Sequence, residues 1–143
     1  MSTNSLIGVV HGDNFKVVYC HFDGYLSGVG AMLDKYYDSP AANHLVALGD
    51  LSYLAKTIVP AKDSTHSFDT PAPDVCVFYG RDRDEANCEF ETLCGEAEFN
   101  SYIEDYPYTY IMFNDQWYYI TQGKTFADKR LLSTDLAQQL EAA

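Results

Sequence analysis

The chain has 143 residues, a formal net charge of −12 at pH 7 and twelve tyrosines, and 47% of its residues are hydrophobic. This length suits one folded core, and the apolar fraction excludes an intrinsically disordered chain. So acidic a surface repels nucleic acid and anionic membranes and favours basic protein surfaces, while tyrosine suits a contact surface. We therefore expect one domain over residues 1–143 that binds a protein with a basic surface, without direct binding to nucleic acid or membrane.

The first five residues lack the basic and apolar regions of a secretory signal. No apolar run approaches the roughly 20 residues needed to cross a bilayer. These features predict a cytoplasmic protein. The four cysteines lack C-x-x-C spacing, so we expect buried thiols rather than disulfides or zinc ligands, and the sequence predicts neither a metal site nor a cofactor.

The N-terminal part predicts a hairpin followed by a helix. Residues 6–10 and 15–20 are typical of two strands, and the Gly and Asn between them suit a tight loop. Asp23 is placed to cap the helix that follows Gly24. Apolar residues at spacings of three and four define the buried face of this helix: Leu26, Val29, Leu33 and Tyr36 or Tyr37.

Ser39 and Pro40 predict the N-cap and first turn of a second helix, which ends at Gly49. Residues 50–54 favour a further helical turn. The polar, proline-containing segment 56–74 predicts a mobile surface loop.

The second half begins with an apolar strand over residues 75–79, expected in the centre of a sheet. A short strand over 89–92 precedes a helix that ends at Pro107. Residues 108–113 and 117–120 form the clearest hairpin, and a last helix starts near Ser133 with a fraying end. Its apolar side carries Leu132, Leu136 and Leu140. The fold prediction is α+β: a single domain with a largely antiparallel sheet and helices packed on one face.

Three stretches support a resemblance: V-Y-C-H-F-D-G-Y over residues 18–25, L-G-D-L-S over 48–52 and F-Y-G-R-D-R over 78–83. They resemble a group of small, mostly phage-encoded proteins of unassigned function that carry Y-C-H-x-D-G-Y near the N-terminus. The resemblance implies a phage origin and a role during infection, hence the cytoplasm of a host cell. It implies no catalytic residues.

Tyr19, His21 and Asp23 would share one face of an extended chain, because side chains alternate along a strand. A His21–Asp23 pair could orient an imidazole for general-base catalysis. The alternative is structural: His21 hydrogen-bonds locally and Asp23 caps the helix. Cys20 points to the opposite face and cannot pair with His21 as a nucleophile.

Arg81 and Arg83 would also share one face if residues 79–83 were extended, and could then hold a phosphate or carboxylate beside the Tyr79 ring. The alternative is surface ion pairing with neighbouring acids.

A run of acids is the third candidate site. Carboxylates on a folded surface can imitate the charge ladder of nucleic-acid phosphates, although such a run is usually a solvated face. The predicted partner-binding acidic face comprises Asp82, Asp84, Glu85, Glu89, Glu91, Glu96, Glu98, Glu104 and Asp105.

No P-loop, dinucleotide fingerprint, H-E-x-x-H, G-x-S-x-G or EF-hand pattern is present, which lowers the expectation of an enzyme. The leading hypothesis is an acidic binding protein that inhibits a host defence or nucleic-acid-handling protein. The alternatives are a protein that sequesters a nucleotide signal and a small hydrolase or transferase centred on His21 and Asp23. Self-association into a homodimer is compatible with each.

Overall fold

The computed structural model describes residues 3–142, with side chains described as far as Gln138. Within that range the strands are Ser5–His11 (β1), Asn14–Cys20 (β2), Leu51–Tyr53 (β3), Val77–Phe78 (β4), Glu91–Cys94 (β5), Tyr108–Phe113 (β6), Gln116–Thr121 (β7) and Arg130–Leu131 (β8). The helices are Ala31–Tyr36 (α1), Ser39–Ala47 (α2), Tyr79–Arg83 (α3), Glu96–Ile103 (α4) and Leu132–Ala142 (α5). A π-helical turn, Leu26–Gly30, leads into α1, and a 3₁₀ turn, Phe126–Asp128, precedes β8.

These strands form one sheet in the order β4-β3-β2-β1-β6-β7-β8, and β5 also pairs with β2. The hairpins β1–β2 and β6–β7 are antiparallel along their whole length. Among the described strands, the parallel pairs are β1–β6 and the single contact between β2 and β3. The prediction of a single α+β domain with a largely antiparallel sheet is therefore confirmed.

Alternation along the strands separates two apolar cores. In β1, Ile7 faces the larger core and Leu6 the smaller one. The larger core lies between the sheet and the main helical layer of α1, α2 and α5. The structure adds a smaller layer on the other face, where α4 and the 3₁₀ turn pack on β2. There Phe15 stacks on Phe99 with ring centroids 4.3 Å apart.

Residues 50–54 do not form the predicted helical turn. Residues Leu51–Tyr53 are the strand β3, because Leu51 pairs with Cys20 of β2 and with Phe78 of β4. The Leu51 side chain is fully buried in the larger core. Pairing with distant parts of the chain therefore overrides the local helical spacing.

The apolar segment 75–79 is not a central strand. Only Val77–Phe78 is a strand, and β4 lies at one end of the sheet order. The segment is nevertheless buried because the chain around Thr57 covers it: the Cys76 N–H donates to the Thr57 carbonyl at 2.9 Å. A covering loop, rather than a second neighbouring strand, therefore accounts for the burial of this segment.

Several helix ends differ by a few residues from the prediction. The N-cap of α2 is Asp38, whose carboxylate accepts the Ala41 N–H at 3.0 Å, and Ser39 is the first helical residue. Helix α4 ends at Ile103, before Pro107. Helix α5 begins at Leu132, next to the predicted start; the Leu140 side chain and the predicted fraying lie outside the described side chains.

Candidate protein-binding surface

The end of β2 places Tyr19 and His21 on the face of the sheet that carries α4, as strand alternation predicts. The Tyr19 hydroxyl lies 2.7 Å from His21 Nδ1. Strand β2 pairs with β5 through residues 14–17 and with β3 at Cys20, which leaves the Tyr19 amide between these two neighbours. Asp50 fills that gap, because its Oδ1 accepts the Tyr19 N–H at 2.9 Å.

Asp23 follows this pair at a turn of the backbone. The backbone turns at Asp23, where φ is +59°, and its carboxylate accepts a hydrogen bond from the Tyr25 hydroxyl at 3.2 Å. His21 and Asp23 line two different grooves. This placement adds no support to the hypothesis of an enzyme centred on these two residues.

The predicted capping role of the Asp23 carboxylate is wrong. The N-cap residue of the π-helical turn is Tyr25, which makes no side-chain capping hydrogen bond, and the main-chain carbonyl of Asp23 accepts the Val29 N–H at 2.7 Å. The neighbouring Gly24 is required by space: a Cβ there would lie 2.7 Å from the Asn4 carbonyl oxygen. The Gly24 carbonyl also accepts the buried Tyr110 hydroxyl at 2.6 Å. The Asp23 main chain and Gly24, in the stretch over residues 18–25, therefore have structural roles.

Five rings lie in contact from α4 to the end of β2, and we call them the aromatic strip: Tyr102, Tyr106, Tyr19, His21 and Phe22. Tyr102 stacks on Tyr106 with centroids 6.2 Å apart, and Tyr106 meets Tyr19 at 6.4 Å. The Tyr19 and His21 rings are 5.9 Å apart, and His21 and Phe22 are 4.5 Å apart. The two ends remain exposed, with 36% of Tyr102 and 43% of Phe22 accessible to solvent.

Asp50 contacts the strip through the Tyr19 N–H, and the charges of Glu89 and Glu91 act on Asp50; we call these three carboxylates the acidic flank. Burial raises the pKa of Asp50, and the charges of Glu91 and Glu89 raise it further. The hydrogen bond from the Tyr19 N–H acts in the opposite direction but is a weaker influence than burial. Burial also raises the pKa of Tyr102 to about 12, with contributions from Tyr106, Glu91 and Asp50. The strip and the flank therefore lie within electrostatic range of each other.

An open groove of about 520 Å³ continues this surface beyond Phe22. It lies where α3 and the loop 56–74 meet the ends of β2 and β3. Phe22 and Tyr53 are exposed by 43% and 41%. The lining includes His21, Phe22, Tyr53, Phe68, Tyr79 and Arg83.

Two of the predicted ligand-binding residues, Tyr79 and Arg83, therefore lie in one groove. The Tyr79 ring is 5.7 Å from the Phe68 ring, and burial raises the pKa of Tyr79 against an opposing hydrogen bond from Ser52. The Arg83 guanidinium lies 4.8 Å from the centre of the Phe68 ring and 3.7 Å from the Glu85 carboxylate. The groove thus already holds a cation at its Phe68 end.

Arg81 points away from the groove, because residues Tyr79–Arg83 form the short helix α3 and not an extended segment. Its guanidinium donates to both carboxylate oxygens of Asp82 and to the carbonyls of Ile58 and Cys76. Because these partners lie inside the protein, the geometry does not support a ligand-binding role for Arg81 in the groove.

Asp82 is likewise internal, with 6% of its side chain exposed, so it is not part of an exposed acidic face. Burial alone would raise its pKa, but hydrogen bonds from Arg81 and the Phe78 N–H, together with the adjacent His66 imidazole, lower it below the usual value. The buried His66 accepts the Ala72 N–H at Nδ1, and its Nε2 lies 3.1 Å from Asp82 Oδ2 without good hydrogen-bond alignment. This cluster anchors the loop 56–74, whose mobility stays a prediction.

The other acids of the predicted face are exposed but spread over several elements. Asp84 and Glu85 follow α3. Glu98 accepts the Cys94 N–H at 3.2 Å, so it holds the start of α4. The exposed set comprises Asp84, Glu85, Glu89, Glu91, Glu96, Glu98, Glu104 and Asp105. Of these, Glu89 and Glu91 belong to the acidic flank. Burial raises the pKa of Tyr106, and neighbouring charges, including that of Asp105, raise it further.

All four cysteines are free thiols; Cys20 and Cys76 are buried as predicted, whereas Cys94 is exposed and Cys88 half-buried. Burial raises the pKa of Cys20 to about 12, which makes its thiolate rare at neutral pH. Among the described residues, no group of three or more His, Cys, Asp or Glu is arranged to hold a metal ion. In the same part of the chain, no helix combines the length and apolar character that a membrane span needs.

Comparison with protein families, curated proteins and solved structures finds no match. The site is therefore defined by geometry alone. Sequence reasoning did not find Tyr102, Tyr106 or Asp50, nor the groove residues Tyr53 and Phe68. The abundance of tyrosine was the available signal, but it does not say which rings meet across the fold.

Proposed function

We propose that this protein binds another protein through the aromatic strip and the acidic flank, and that the contacting surface of the partner is basic. The observation that carries the proposal is the unbroken run of four contacts among five rings, with carboxylates beside it. Tyrosine is enriched at binding hot spots because it offers a rigid apolar body with a polar tip. The carboxylates attract a basic surface and speed the encounter.

The finer form of the proposal concerns the partner. A basic protein surface that such carboxylates fit is typical of proteins that bind nucleic acid, since their sites neutralise phosphates. We propose that the partner is a host defence or nucleic-acid-handling protein, inhibited in the host cytoplasm by occupation of its basic site. A homodimer through the same surface is disfavoured, because it would bring two acidic flanks together.

The test compares two tyrosines of equal exposure. Immobilised wild type, Tyr102→Ala and Tyr36→Ala are each incubated with bacterial lysate at low and high salt, and any protein retained by the wild type is purified. Tyr36 is the matched control, since it is 38% exposed against 36% for Tyr102 but lies on α1, across the sheet. The dissociation constant of each variant for the purified protein then gives the result.

We expect Tyr102→Ala to weaken binding about 30-fold, the effect of losing a hot spot worth about 2 kcal/mol. Tyr36→Ala should leave the affinity unchanged, and salt should weaken binding to wild type. Equal effects of the two substitutions, or an affinity that ignores salt, would contradict the proposal.

A second candidate function rests on the groove, whose volume lies in the range of about 300–1,000 Å³ typical of ligand pockets. A nucleotide base could stack on Tyr79 while Arg83 meets its phosphate. The nearby Glu85 opposes an anion there. Thermal melting with a panel of nucleotides tests this function, and the absence of any shift would remove it.

A further inference from the structure

The groove exposes apolar surface that the described chain does not cover. Its lining includes the rings of Phe22, Tyr53, Phe68 and Tyr79, and more than two fifths of both Phe22 and Tyr53 is accessible to solvent. Apolar surface gathered in a concave site, rather than scattered singly, marks a binding site.

Charge at the groove differs from one end to the other. At the Phe68 end, the Arg83 guanidinium already occupies the face of the ring and is paired with Glu85. A second cation there would be repelled. His21, which also lines the groove, connects it to the flank: the Tyr19 hydroxyl lies 2.7 Å from His21 Nδ1, and the Asp50 carboxylate accepts the Tyr19 main-chain N–H.

We infer that the groove receives an uncharged apolar or aromatic side chain from a basic segment of the partner, while neighbouring Lys or Arg residues of that segment meet the acidic flank. The inference rests on the proposed function and specifies the partner's chemistry. An apolar anchor gains most where aromatic walls exclude water, and cations gain most beside the carboxylates. The two kinds of contact are therefore separated along one surface.

The experiment uses three fluorescein-labelled peptides of eight residues and the full-length protein. The first peptide has a central Leu-Trp pair flanked by Lys and Arg. The second replaces that pair by Ser-Ser, and the third keeps Leu-Trp but has Glu in place of each Lys and Arg. Fluorescence anisotropy measures the affinity for the wild type and for Tyr53→Ala, Phe22→Ser, Tyr102→Ala and Tyr36→Ala, all checked for folding by circular dichroism.

We expect the first peptide to bind at least ten-fold more tightly than the second, and the third not to bind. Tyr53→Ala and Phe22→Ser should each remove most of the advantage of Leu-Trp over Ser-Ser. Tyr102→Ala should weaken both basic peptides, and Tyr36→Ala neither.

The outcomes separate this inference from the proposed function. If the Ser-Ser peptide binds as tightly as the Leu-Trp peptide while Tyr102→Ala weakens both, the groove inference is overturned and the proposed function stands. If the acidic peptide binds best, or if no peptide binds, both are overturned. A nucleotide that competes with the first peptide only through groove residues would overturn the inference in favour of a small ligand.

Discussion

Asp82 holds the loop that forms one wall of the groove, and Asp82→Asn tests this role. Asp82 accepts the Phe78 N–H at 2.8 Å, pairs with Arg81 through both oxygens and lies beside His66. The substituted amide keeps one acceptor but removes the charge that balances Arg81. The Arg81 side chain is 24% exposed, so water compensates part of the loss.

Removing one partner of a fully buried ion pair costs about 3–5 kcal/mol, and the exposure of Arg81 reduces the expectation to about 2–4 kcal/mol. For a domain of this length 1 kcal/mol corresponds to roughly 3 °C, so the melting temperature should fall by about 6–12 °C. The matched control is Asp84→Asn: Asp84 is exposed at the end of α3, and asparagine also tolerates its positive φ of 55°.

The assay is urea unfolding followed by circular dichroism at several pH values. Because the folded pKa of Asp82 is lowered, its stabilising effect is complete above the unfolded value of 3.8 and is lost as the pH falls through the folded pKa. The difference in the free energy of unfolding between wild type and Asp82→Asn should therefore be largest at neutral pH and shrink in strong acid. A variant that unfolds like Asp84→Asn at neutral pH would refute the reasoning.

Two further substitutions test the surroundings of the strip. Asp23→Gly should leave stability unchanged or raise it, whereas Asp23→Ala should lower it by about 1 kcal/mol, because Ala adopts the left-handed φ of +59° less readily; equal urea midpoints would contradict this. Asp50→Asn should raise the free energy of unfolding at pH 7 by about 0.5 kcal/mol, which is the scale of a surface substitution. The reason is that the amide keeps the hydrogen bond from the Tyr19 N–H and removes a partly buried charge. The extra stability of Asp50→Asn should disappear below pH 3.8, because the raised pKa of Asp50 in the folded protein costs stability only as the pH rises above the unfolded value. Extra stability that persists in acid would count against the electrostatic cause.

The parts of the fold that the sequence predicts are those fixed by local rules. The hairpins β1–β2 and β6–β7 follow from alternation and turn residues within a few positions of each other. Strand β3 was missed because its register is set by partners far along the chain, and its spacing also suits a helix. Local pattern cannot decide such a segment.

The candidate site divides in the same way. The alignment of Tyr19 with His21 follows from the two-residue repeat of a strand. The contact between Tyr19 and Tyr106 depends on how α4 docks against β2, which no local pattern encodes. The inward turn of Arg81 depends on α3 being helical for a single turn, and five residues carry too little periodicity to show it.

The contrast between two exposed tyrosines explains why we propose the strip, rather than any exposed ring, as the binding surface. Tyr36 has Lys35 and Lys56 within 5.3 and 5.7 Å of its ring centre, so cations of the same chain already contact its ring. No Lys or Arg side chain in the described part of the chain lies over Tyr102, and its neighbours there are Tyr106 and carboxylates. A carboxylate adds to the negative potential of a ring face, which makes the pair a stronger acceptor of a cation from outside. Among the described residues, no Lys or Arg lies over a tyrosine or phenylalanine ring of the strip, and this arrangement of rings beside acids is the reason for proposing a basic partner.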